Sequence, residues 1–325
     1  MGANWILSIL PTFALAAHAG VTDKVPIQST RCDQGCLRAV LNRFFESLSR
    51  HDPSLLPITR TVRFTFDGAP TKVGQQLWQH AGAVSYRLDA IDPQCQQAAA
   101  NAVIGDNGHK SILFVRLKVK QGKVDELETV LVRPGEGQRS DPEGLSGEPS
   151  AYQERISPAQ RQRRQQLIAT AEAYFQGIAD AGTAQYRSPP LAPDMIRVEN
   201  GIQAGRPPGE TGPAPSIDEQ LRHGFGRDRL YVSERRYPVV DGEHGIVVAV
   251  GVMHVDRPPG PPPPFLVGLH TVDSAHLRQI LVEFFKVQAG TIRQIQATMY
   301  DLNDPKTAGT GWVSTSLGAS SSHGK

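Results

Sequence analysis

The chain has 325 residues, more than the roughly 100–200 of one ordinary domain, so two domains with separate cores are the first expectation. Its 34 basic and 32 acidic residues leave a formal net charge of +2, which gives no basic surface for a nucleic acid and excludes that partner class.

From the N-terminus, an apolar run from Trp5 to Ala17 leads into Ala17-His18-Ala19, the small-x-small pattern that a signal peptidase reads. Residues 1–19 are therefore expected to be a removable export signal, and the location secreted or periplasmic. The n-region lacks Lys and Arg, and the competing reading is an N-terminal helix. The run is shorter than the ~20 residues of a membrane span and contains Pro11, so no membrane partner is expected after signal removal.

Export permits disulfides. Cys32 and Cys36 lie one helical turn apart, close enough to bridge, and are the favoured pair. Pairing of either with Cys95, or free buried thiols, stays open. Three cysteines without a nearby histidine pair match no structural zinc spacing.

Leu37, Val40, Leu41, Phe44, Phe45 and Leu48 recur at helical spacing and predict a helix with one buried face, ended by Asp52-Pro53. Val62 to Phe66 alternates as a strand and closes on Asp67-Gly68. Arg116-Leu117-Lys118-Val119, Gly122, Val124 and Leu127 read as strand, turn, strand. These define a first module over 20–133. Residues 134–153, rich in Gly, Pro, Ser and acids, read as a linker.

The order then repeats over 154–304. Ser157-Pro158-Ala159-Gln160 predicts a helix start, followed by the stripe Leu167, Ile168, Ala171, Tyr174, Phe175 and Ile178. Met195 to Glu199 closes on Asn200-Gly201, and Phe284-Phe285-Lys286-Val287, Gly290, Ile292 and Ile295 repeat the strand–turn–strand unit. Between them Leu230 to Val240, a turn at Asp241 to Gly245, and Ile246 to Val255 form a hairpin. Pro258 to Pro264 reads as a stiff connection, and residues 305–325 as a disordered tail. The fold class is α+β: two tandem cone-like modules, each a long helix plus short helices on a curved antiparallel sheet.

These residues carry a resemblance. A long helix with paired aromatics, a short strand ending Asp-Gly or Glu-Asn-Gly, and a closing strand–Gly–strand unit resemble the SnoaL-like, nuclear transport factor 2-like superfamily. Cys32 to Leu37, Gly74 to Trp78, Arg116 to Val119 with Glu126 and Glu128, Arg197 to Gly201, and Arg235 to Asp241 are similar to a tandem family of secreted proteins common in fungi. The first copy departs from Glu-Asn-Gly, having Phe66-Asp67-Gly68. The resemblance implies a cone with a deep apolar pocket. It also implies a cofactor-independent lyase, isomerase or hydrolase acting on a small hydrophobic, aromatic or polyketide-like molecule, or else a noncatalytic binding protein.

Period 2 predicts Tyr231, Arg235, Tyr237 and Val239 on one strand face, with Arg236 on the other. An arginine between tyrosines could stabilise an oxyanion, or Arg235 could pair with Glu199 or Glu234. Glu199 is a candidate base beside the amide of Asn200, or both simply form a turn. His254 is the histidine best placed to enter a pocket, or else sits satisfied at its rim. The catalytic candidates are thus Arg235, His254, Glu199 and Tyr237. The ligand-binding candidates are Tyr231, Asn200, Trp78, Tyr86 and Arg116, with His80 near the aromatic pair. Trp78 and Tyr86 could equally be core, and Arg116 could pair with Glu126 or Glu128. His270, Asp273 and His276 are a weak metal pattern, and no cofactor motif is present. No metal or cofactor is expected. The two modules could pack on each other or the chain could form a homodimer.

Overall fold

The computed structural model describes residues 1, 31–136, 139–147, 150–204, 216–224, 228–256, 276–302 and 309–312. The export signal, the Pro258 to Pro264 stretch, His270 and Asp273 lie outside the described residues. Among the described residues no helix is long and apolar enough to cross a membrane.

The first module runs α1 (Gln34–Ser49), β1 (Ile58–Phe66), β2 (Ala69–Pro70), α2 (Leu77–His80), β3 (Ala81–Asp92), β4 (Gln97–Asp106), β5 (His109–Lys120) and β6 (Lys123–Val132). Asp33 caps α1 by accepting from the Cys36 amide at 2.8 Å. Cys32 and Cys36 are bridged, with Cα atoms 5.2 Å apart, and Cys95 is free. After α3 (Ser150–Gln153), the second module repeats the plan as α4 (Arg164–Ala179), β7 (Leu191–Glu199), β8 (Ile202–Gln203), α5 (Ile217–His223), β9 (Arg229–Asp241), β10 (Ile246–Asp256), β11 (His276–Gln288) and β12 (Thr291–Asp301).

The two six-stranded sheets have the same order, β2-β1-β6-β5-β4-β3 and β8-β7-β12-β11-β10-β9. Among the described residues, only β1 with β6 and β7 with β12 pair in parallel. The Asp67-Gly68 and Asn200-Gly201 turns match: all four residues have positive φ, 51°, 79°, 45° and 83°. Two successive left-handed residues are what a tight I′ hairpin turn requires, and Asn, Asp and Gly tolerate them best.

The start of the second long helix differs from expectation. Ser157 bonds the Gln160 side chain at 2.9 Å, and Pro158–Gln160 makes only a single 3-10 turn. The α-helix begins at Arg164, where the Arg163 amide donates to Gln166 Oε1 at 2.9 Å. The apolar stripe starts at Leu167, so a helix begun at Ser157 would have carried an exposed first turn with no face to bury.

Alternation along the strands builds three cores. One face of the first sheet sets Ala98, Ala100, Leu113, Val115, Leu117 and Leu127 against the Phe44 side of α1. One face of the second sets Val247, Ala249, Leu281, Phe285, Ile295 and Ala297 against α4. The third core joins the opposite faces of the two sheets, with Val103, Phe114 and Val130 of the first against Val248, Val282 and Phe284 of the second. The Phe114 and Phe284 rings meet edge to face at 6.2 Å. Both sheets are thus covered on both faces, which explains why β5 and β11 read as near-continuous apolar runs.

Polar pins fix the two sheets to each other, and one pair is reciprocal. Asp92 Oδ2 accepts from the Val240 amide at 2.9 Å, while Asp241 Oδ2 accepts from the Ile91 amide at 3.1 Å. Fully buried Arg116 donates to Glu128 at 2.8 Å, Glu126 at 2.8 Å and Gln97 at 2.7 Å, and Arg236 of the second module closes on the other Glu128 oxygen. Three polar groups satisfy the buried Arg116 guanidinium, the condition under which such a charge is tolerated.

Candidate active site

Strand register aligns the modules residue by residue. In the first, Phe64 faces Leu127, and both Phe66 and Val115 face Thr129. In the second, Arg197 faces Ile295, and both Glu199 and Glu283 face Ala297. The buried stripes of α1 and α4 have identical spacing and align Phe44 with Tyr174. The helix-side interior of the first module is therefore Phe44, Phe64, Phe66 and Val115 where the second has Tyr174, Arg197, Glu199 and Glu283.

In the first module this space is filled by hydrocarbon. Trp78 from α2 stands edge-on to Phe44 and Phe64, both at 5.8 Å, and its indole N–H donates to Ser47 Oγ at 3.1 Å. In the second, Arg197 Nη2 lies 2.7 Å from Glu199 Oε1 and 3.6 Å from Glu283 Oε1, with its guanidinium carbon 5.7 Å from the Tyr174 ring centre. Arg197 Nε, both Glu283 oxygens and the Tyr174 hydroxyl are buried without a hydrogen-bond partner among the described residues. Buried polar atoms are nearly always partnered, so four orphans in one cluster call for a physical reason.

Burial pushes the Glu283 carboxyl, 0% exposed, up to about 7; Arg197 pulls it down and Glu199 adds to the rise. Burial pulls the Arg197 guanidinium down, but Glu199, Tyr174 and Glu283 outweigh that and hold it above its ordinary value. Burial raises the Tyr174 phenol, keeping it a neutral donor. Toward the solvent side of α4, Tyr237 bonds Glu172, whose other oxygen is 3.0 Å from Arg235. Burial, then the Glu172 bond, raises the Tyr237 phenol.

Of the residues singled out from sequence, Glu199, Arg235 and Tyr237 lie on the α4 side of the second sheet, and Arg235 pairs with Glu172, not with Glu199 or Glu234. Tyr231 and Val239 do not share their face. The pairing of β9 with β10 shifts register on each side of Val250, adding an extra β9 residue each time, with Glu234 at a φ of 53°. Each bulge reverses the alternation on which the face assignment rested. Arg236 does point the other way, to Glu128 of the first module.

His254 points away from α4, its ring stacked on Tyr231 at 4.4 Å and Nε2 2.8 Å from Ser233 Oγ. Burial and Arg278 lower its pKa. Asn200 is a turn anchor, donating to the Met299 carbonyl and accepting from the Met299 amide, both at 2.9 Å. Trp78 is core of the first module, Tyr86 donates to Gln296 across the inter-module face at 2.7 Å, and Arg116 holds both glutamates. His80 lies 2.5 Å from Asp106 at the end of α2, and among the described residues no cluster fits a metal ion.

Sequence reasoning missed Glu283, Tyr174 and the placement of Arg197. A signal was present: within Ile280-Leu281-Val282-Glu283-Phe284-Phe285, period 2 sets an acid on the same face as Leu281 and Phe285.

A family model described as a domain of unknown function, DUF8021, matches residues 160–299. The curated proteins contain no match. Among solved structures, a designed protein with a curved β-sheet is 18% identical, covering 31% of this chain and 88% of its own, with a TM-score of 0.27. An NTF2-like protein of unknown function from Cytophaga hutchinsonii is 10% identical, covering 29% and 88%, with a TM-score of 0.24. AusH from Aspergillus nidulans is 16% identical, covering 42% and 85%, with a TM-score of 0.26. Each covers between 29% and 42% of this chain, about the share of a single module, and at these scores none bears on its chemistry.

Proposed function

We propose that the second module is a cofactor-independent acid–base catalyst, a lyase, isomerase or hydrolase, for a small hydrophobic molecule of aromatic or polyketide-like character, and that the chain is exported. The observation that carries this reading is Glu283. A carboxyl with its pKa near 7 can both take and return a proton at neutral pH, and both its oxygens are free to do so among the described residues. Arg197 Nε and the Tyr174 hydroxyl are the donors available to an oxygen of the substrate.

Charge narrows the substrate. Arg197 already has Glu199 at 2.7 Å and Glu283 at 3.6 Å, so a carboxylate ligand would bring a third acid to one guanidinium. A neutral carbonyl or phenolic compound fits better. The Cys32–Cys36 bridge supports an oxidising compartment, and hence export.

A binding protein without turnover is the second reading, favoured by the closeness of the Arg197–Glu199 pair, which already neutralises the cation of this cluster. Purified protein incubated with a panel of neutral aromatic and polyketide-derived compounds, read by mass spectrometry, separates the two. Turnover by the wild type that is lost in Glu283→Gln with binding kept is the expected result. Equal turnover by both would sink the assignment, and binding without turnover in either would favour the second reading.

A further inference from the structure

The segment expected to be a linker is docked on the second module over Arg139 to Leu145 and at Tyr152. Its first part lies on the β7–β8 turn. The Asp141 amide donates to the Asn200 carbonyl at 2.8 Å, and Asn200 Nδ2 donates to the Arg139 carbonyl at 3.3 Å. A Cβ at Gly144 would run into the Gly201 carbonyl oxygen. Leu145 and Tyr152 enter the inter-module core, and the Tyr152 hydroxyl donates to the Phe284 carbonyl at 3.0 Å.

Beyond β12 the second module does the same to the first. Gly311 lies against the Gly68 carbonyl of the β1–β2 turn and accepts from Arg63. The Trp312 indole donates to Thr65 Oγ1 at 2.7 Å and is flanked by the guanidiniums of Arg63 and Arg116 at 4.1 and 4.5 Å. Thr310 ties the segment back to its own module through Glu234, at 3.1 Å from the amide and 3.0 Å from the hydroxyl.

We infer that these two segments are exchanged arms. Each module's Asx-Gly turn is the docking surface for an arm that arrives from the other, and the turn's left-handed geometry leaves backbone carbonyls outward to receive it. The consequences are unequal. The first arm grips Asn200, the residue after Glu199, and so positions the strand end that carries Arg197 and Glu199. The second arm grips Asp67-Gly68, next to Phe66, where nothing chemical waits. The positioning half of this inference rests on the proposed function; the docking half does not.

The test uses the full chain as wild type, Gly144→Ala, Trp312→Ala, and Gly242→Ala as a control, since a Cβ at Gly242 meets nothing within 4 Å. Amide exchange at Asp141 and in Gly309–Trp312 reads docking, and carbon NMR of labelled glutamate reads the Glu283 titration. Gly144→Ala is expected to speed exchange at Asp141 about tenfold or more, and to move the Glu283 titration toward the ordinary carboxylate range as the strand end loosens. Trp312→Ala is expected to speed exchange only in Gly309–Trp312 and to leave that titration in place. Wild-type exchange at Asp141 at the free-peptide rate would overturn the docking, and needs no variant to fold. Faster exchange with an unmoved titration would overturn the positioning. An ordinary titration of Glu283 in the wild type would defeat the proposed function while leaving the docking to be judged by exchange.

Discussion

The two modules share strand order, pairing register and turn geometry, yet their interiors are opposite in kind. Phe44, Phe64, Phe66 and Val115 pack around Trp78 in the first, while Tyr174, Arg197, Glu199 and Glu283 occupy the matched positions in the second. Topology is indifferent to the exchange because the remaining apolar stripe and strand faces still bury enough surface to define each core. Stability is not indifferent. Holding Glu283 with its pKa at about 7 against an ordinary 4.5 costs about 3 kcal/mol at neutral pH. The first module shows that hydrocarbon at these positions builds the same fold without that cost. The polar cluster is therefore an expense that the fold itself does not require, which is the physical ground for reading it as a site.

The comparison can be broken most severely at Glu283. Glu283→Gln keeps the shape and removes the proton acceptor, and turnover of any substrate found is expected to fall by roughly 10²–10⁴-fold with the melting transition kept. Placing the acid in the wrong cone is the reverse experiment. Val115→Glu would bury a carboxyl where Phe64 replaces the arginine, and urea unfolding is expected to show a loss of about 4 kcal/mol.

The pH dependence of stability sharpens the contrast. The Glu283 carboxyl stays protonated in the fold up to about 7 and ionises at 4.5 when unfolded, so the folded chain binds the extra proton between those values. Its contribution is present below about pH 4.5 and lost as pH rises through about 7. In Glu283→Gln this component, about 3 kcal/mol, should disappear from unfolding free energies measured between pH 4.5 and 8.

A smaller effect is expected at the matched turns. Burial pushes Asp67 up to about 7, while its counterpart Asn200 satisfies the Met299 amide and carbonyl together. Asp67 Oδ1 accepts from the Leu131 amide at 2.8 Å, and Asp67→Asn would add the donor that an ionised acid lacks. A gain of about 1–2 kcal/mol at pH 8, by thermal melting, is expected. Smallest is His254→Ala. With the ring on the far sheet face against a 42% exposed Tyr231, it should change stability by no more than about 1 kcal/mol and leave turnover unchanged.

Much of the architecture was legible in the sequence because it rests on local periodicity. The stripes from Leu37 and Leu167, the turns at Asp67-Gly68 and Asn200-Gly201, and the hairpin over Leu230 to Val255 all specify their elements over a few residues. The site was legible only in part. Arg235 and Tyr237 do share a face as expected, but Tyr231 and Val239 were lost to two β-bulges in β9, which leave little trace in an alternating pattern, whereas His254 lies opposite Met253 and Val255 by the unbroken alternation of β10.

By itself, then, the sequence determined a duplicated helix-and-sheet module and which residues are apolar enough to form its faces, since both follow from spacing along one chain. Only the tertiary structure decided which acid loses its water. Glu283, Glu126, Glu128 and Glu172 look alike in a string of letters. Their pairing across strands and helices leaves Glu128 held by two arginines, Glu172 half in solvent, and Glu283 buried beside a guanidinium that Glu199 already holds. Desolvation depends on what the rest of the chain brings to a side chain, and no local pattern carries that information.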